Sequence, residues 1–107
     1  MKQHSTPEHK QAIDAHLQAL AHAFTGLQQG QILDFLRDLC TPAELEAMAD
    51  RWRVVPLLHQ GVPYRKIHQL TGVSVTTISR VARSLEHGTG GYARVLANLN
   101  QNTPAFI

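Results

Sequence analysis

The stretch YRKIHQLTGVSVTTISRVAR, Tyr64 to Arg83, constrains this chain more than any other feature of it. Two helices that cross steeply through a tight turn need apolar residues at fixed offsets and a glycine between them. Ile67, Leu70 and Thr71 supply the inner face of the first helix, and Gly72 can take the left-handed conformation that ends it. Val73 then plugs the space between the helices, and Ser74 is a good N-cap for the second. Ile78, Val81 and Leu85 recur at spacings of three and four along that second helix, which turns Val75, Thr76, Ser79 and Arg83 outward. His68 departs from the pattern. A small residue is usual there, so its ring must tilt outward or widen the crossing.

An outward helix start of short hydroxyl and methyl side chains suits the major groove of DNA, where methyls can touch thymine and hydroxyls can bond base edges or phosphates. The charge distribution agrees. The formal net charge is only +2. Residues 1–50 nevertheless hold three bases and seven acids, whereas residues 51–85 hold six bases and no acid. A basic segment of this kind predicts a polyanionic partner, with the arginines holding phosphates. A basic face serving an acidic protein partner in a helical adaptor is the rival reading.

The rest of the chain reads as helical too, with no convincing strand, so the fold class is all-α. Ile13, Leu17, Leu20, Ala21 and Phe24 give a first helix over about 8–24. Ile32, Phe35, Leu36 and Leu39 give a second over about 28–39. Thr41-Pro42-Ala43-Glu44 is a capping-box start for a third helix, carrying Met48, Trp52 and Val55 inward toward His59. Pro56 predicts a kink or an early stop in it. Short helices at about 63–70 and 75–86 follow, then a break at Gly88, Gly90 and Gly91, then a last helix over about 92–100. One domain is expected over 8–100, its helix-turn-helix at about 64–85, between flexible tails at 1–7 and 101–107.

Several function classes find no footing here. No apolar run is long enough to span a membrane, and the N-terminus lacks a secretory apolar stretch. The single cysteine, Cys40, excludes an intrachain disulfide and is read as a buried structural thiol. A reducing, cytoplasmic setting is expected. His4, His9, His16 and His22 do not fall at the i, i+4 spacing that grips one zinc ion, so no metal is expected. No phosphate loop, carboxylate pair or nucleophile elbow is present, so the chain is not read as an enzyme.

With LCTPAELEAMADRWRV, GVSVTTISR and GTGGYARVL in view, the sequence from about Leu39 to Leu99 resembles the Trp repressor family. The resemblance implies a six-helix fold assembled as an intertwined homodimer, with two reading heads on double-stranded operator DNA. It implies a transcriptional repressor with L-tryptophan or a related aromatic amino acid as corepressor. Carried over by motif, Val75, Thr76 and Ser79 face bases, and Arg65, His68 and Thr77 lie near phosphates or the groove edge, with Arg83 beside them. Arg51 and Arg80 would sandwich an indole ring, and Thr41 and Ser84 would meet the ligand's polar groups. Val81 departs from this pattern. Tryptophan-sensing members carry glycine there, and valine brings an isopropyl group into space the indole would use. A Trp-repressor-like regulator without a tryptophan response is therefore the alternative.

Overall fold

The computed structural model describes residues 6–102, and the regular elements over them are six helices: α1 (Pro7–Phe24), α2 (Gln29–Leu39), α3 (Pro42–His59), α4 (Tyr64–Thr71), α5 (Val75–His87) and α6 (Gly91–Asn102). All six lie within about two residues of their sequence-derived positions. The expected N-terminal tail falls outside the described residues except for Thr6 and Pro7. The expected C-terminal tail does so except for Gln101 and Asn102, whose backbone closes α6. The chain divides into two compact units, one ending at Thr41 and one beginning at Pro42.

In the first unit, Thr6 caps α1 by accepting the His9 N–H at 3.0 Å, and Pro7 fills the first turn, where no amide bond is lost. Gln28 opens α2, with its own N–H donated to the Gln31 side chain at 2.9 Å. Phe24 and Phe35 meet edge to face, ring centres 5.2 Å apart. The expected inward stripe is not enclosed, however. Ile13 (43%) and Leu17 (57%) of α1 and Leu39 (48%) of α2 are exposed, Ile32, Phe35 and Leu36 are half-buried, and neither helix holds a fully buried residue. Cys40, expected to be buried, is half-buried.

The second unit contains the core. Val54 and Val55 of α3, Ile67 of α4, and Ile78 and Val81 of α5 are almost wholly excluded from water, and α5 packs on α3, α4 and α6. Trp52, Leu85 and Tyr92 pack against this cluster from its edge. Pro56 does not stop α3. The helix runs through to His59, and the Pro56 carbonyl still accepts the Gln60 N–H at 3.1 Å. Proline removes one donor bond, and burial of Val54 and Val55, the two residues before it, outweighs that loss. α3 then closes with paired bonds, Gly61 N–H to Leu58 at 3.0 Å and Val62 N–H to Leu57 at 3.1 Å. Leu70, expected inward, is 58% exposed. The short α4 is turned so that Ile67 and Thr71 face inward, and Leu70 lies past the edge of that stripe.

Candidate nucleic-acid interface

The turn between α4 and α5 is held by a compact set of hydrogen bonds. Gly72 takes φ +76° and donates its N–H to the His68 carbonyl at 2.8 Å. Thr71 Oγ1 donates to the Ile67 carbonyl at 2.7 Å and accepts the Val73 N–H at 3.1 Å. The His68 ring turns back along the turn, with Nδ1 2.7 Å from the Val73 carbonyl oxygen. This settles how a bulky residue fits there: the ring is redirected onto the turn backbone. Val73 itself is 5% exposed and fills the crossing. Ser74 Oγ then accepts the Thr77 N–H at 3.1 Å and starts α5.

With Ile78 and Val81 drawn into the core, the other side of α5 faces water. Val75, Thr76, Ser79 and Arg83 are exposed there. Thr77 is half-buried, its hydroxyl 3.0 Å from Ser74 Oγ and therefore engaged in the cap. Arg65 and His68 of α4 and Arg80 of α5 are also exposed. Among the described residues none of Arg65, Lys66, Arg80 and Arg83 is in an ion pair, whereas Arg53 meets Asp50 at 3.5 Å. Four cations beside an apolar and hydroxyl-bearing helix start are left for an external anion.

One contributor escaped the sequence reading. Tyr64, the first residue of α4, lines a hollow of about 250 Å³ together with Ser79, Arg83, Glu86 and His87. Its signal was weak: a single exposed tyrosine at the start of a short helix.

The residues assigned to an effector are dispersed over different environments. Arg51 and Arg80 are exposed on α3 and α5. Val81 is 2% exposed and belongs to the core. Ser84 lies on the wall of a recess of about 560 Å³ that also takes in Trp52, Thr89, Tyr92 and Val95. The Trp52 and Tyr92 rings are 6.4 Å apart and tilted by 31°. Thr41 is the last residue of the first unit. Among the described residues no three metal-ligating side chains cluster, and His4 lies outside them.

Comparison with known proteins makes the family explicit. The uncharacterized protein YerC of Bacillus subtilis (strain 168) is 40% identical over 67 residues, 63% of this chain and 64% of its own length. The chain thus spans under two thirds of that relative. The crystal structure of a TrpR like protein from Eubacterium eligens ATCC 27750 matches with a TM-score of 0.70 and 36% identity, covering 84% of this chain and 90% of that one. A second crystal structure, from Staphylococcus aureus and provisionally described as a Trp repressor, matches with a TM-score of 0.71 and 33% identity over 90% of this chain and 96% of that one. Residues 11–100 also match the sequence profile of the Trp repressor protein family. A match over that much of the chain, carried by the same helices that build the exposed basic face, means that this protein belongs to the Trp repressor protein family, a family of regulators and not of enzymes.

Proposed function

We propose that the protein is a sequence-specific DNA-binding transcriptional repressor that acts as a homodimer in the cytoplasm. The observation that carries this reading is the exposed start of α5, set by a locked turn and flanked by arginines that form no ion pair among the described residues. Val75, Thr76 and Ser79 read bases in the major groove; Arg65, Arg83 and the groove edge at Thr77 hold the backbone. Two such heads on one dimer call for a nearly palindromic site with half-sites about one helical turn apart. Apolar side chains left exposed on α1 and α2, and the open recess beside Trp52 and Tyr92, give a second copy surface to cover.

Val81 favours a regulator that does not respond to tryptophan. Its side chain is part of the core, so an indole placed against α5 at that position meets a filled space. Arg51 and Arg80 are then available for phosphates or for an effector of another shape.

Selection of bound duplexes from a random pool, followed by titration of the selected site at several salt concentrations, tests the reading. A recovered palindrome, with affinity falling steeply as salt rises, is the expected result. L-Tryptophan added to the same titration is expected to leave affinity unchanged. No retention of any duplex at low salt would overturn DNA binding and favour the adaptor with an acidic protein partner.

A further inference from the structure

We propose that His68 is a positioning residue that sets the sequence selectivity of α5 by clamping the Val73 peptide, and that it does not serve as a phosphate contact. The inference rests on the DNA-binding reading above. Val73 is the plug of the turn, and both of its backbone polar groups are held by α4 side chains. Its N–H goes to Thr71 Oγ1 at 3.1 Å and its carbonyl meets His68 Nδ1 at 2.7 Å. The next residue, Ser74, caps α5, and the base-facing Val75 and Thr76 follow directly. A shift of the Val73 carbonyl is therefore passed, within two or three residues, to the side chains placed to read bases. Direct readout depends on hydrogen-bond geometry, so a small rotation of this helix start weakens discrimination before it weakens overall attraction to DNA.

The chemistry of the ring separates this role from a phosphate contact. A carbonyl oxygen can only accept, so Nδ1 must carry the proton. In the neutral imidazole Nε2 then holds a lone pair and cannot donate to a phosphate oxygen, so the clamp needs one ring proton and a phosphate contact at the same time would need two. Arg65, one turn earlier on α4 and in no ion pair among the described residues, suits that task without restriction on protonation.

The test compares wild type, His68→Ala, His68→Asn and Arg65→Ala as full chains, on the selected duplex and on a scrambled one, at several salt concentrations. An asparagine amide can donate close to where Nδ1 does. His68→Ala is expected to lower the ratio of specific to non-specific affinity about tenfold, the scale of one mismatched base pair. Its salt dependence and helical content should match wild type, and His68→Asn should restore most of the ratio. Arg65→Ala should weaken both duplexes together and flatten the salt dependence. A His68→Ala variant that behaves like Arg65→Ala, or that loses thermal stability with the ratio intact, overturns the proposal. Nitrogen-15 spectra of the free protein give an arm independent of DNA: the Nδ1–H tautomer is expected at His68, and a neutral ring protonated on Nε2 sinks the clamp. Wild-type retention of the scrambled duplex at low salt scores the DNA-binding reading separately, so failure of that reading is recognisable as such.

Discussion

Thr76 and Arg65 are both exposed, yet different physics acts through them. Thr76 sits in the first turn of α5 with a methyl and a hydroxyl that distinguish base pairs, so Thr76→Ala should relax preference at one position by about 1 kcal/mol while leaving salt dependence alone. Arg65 brings charge and no sequence information, and Arg65→Ala should reduce the salt exponent by about one per chain on every duplex. Equilibrium binding to a panel of single-base variants at two salt concentrations separates the two; equal effects from both would mean that this face of α5 does not read bases. Val81 was legible as a departure from the tryptophan-sensing pattern, and only packing shows what kind. At 2% exposure it is a core residue, so Val81→Gly removes buried methyl groups and adds a glycine to a helix interior. Urea unfolding should show a loss of about 3 kcal/mol, and calorimetric titration should show whether the vacated space admits indole.

Helix starts and stops carry most of what was readable at the scale of elements. Ser74 and Gly72 announce their roles by residue type, and each occupies the expected place, whereas Thr6, read as part of the tail, proves to cap α1. Two glycines that look alike in the sequence differ in why they are glycine. Gly72 stands at φ +76° with open space around its missing Cβ, so Gly72→Ala should cost about 1 kcal/mol from backbone conformation alone. Gly88 has an ordinary negative φ of −81°, but a Cβ there would run into the Ser84 carbonyl oxygen, which accepts the Gly88 N–H. Gly88→Ala should therefore destabilise more than Gly72→Ala by urea unfolding; the reverse order would mean that the end of α5 yields easily. Pattern reading was weakest where packing overrides local signals. Pro56 suggested a kink or an early stop, and the helix continues past it behind the buried valines; of the expected inner face of α4, Ile67 and Thr71 turn inward and Leu70 does not. His68 was legible as an anomaly, but its solution required the position of a backbone carbonyl five residues away.

At the scale of the whole molecule, the periodicity of α1 and α2 is clear in the sequence, while its partner is not. Ile13, Leu17 and Leu39 are spaced for burial, and all three are between 43% and 57% exposed within one chain. Periodicity specifies that a face is apolar and leaves open which surface covers it. Two helices joined by a short turn cannot enclose such a stripe by themselves, and solvated clusters of this kind mark association surfaces. If a second copy covers them, stability is linked to concentration, because only the folded dimer buries those side chains. The thermal midpoint should then rise with protein concentration, and sedimentation should give twice the mass of one chain at tens of micromolar, a working range on the order used for such assays. Leu17→Glu places a carboxylate in that face, where an unpaired buried charge is costly. It should shift sedimentation toward the single chain and lower the midpoint, most at low concentration. Arg83→Ala, on the opposite kind of surface, should alter neither. A wild-type chain that sediments alone, with a midpoint independent of concentration, would remove the dimer and with it the expectation of a palindromic site, while a single reading head on a half-site would survive.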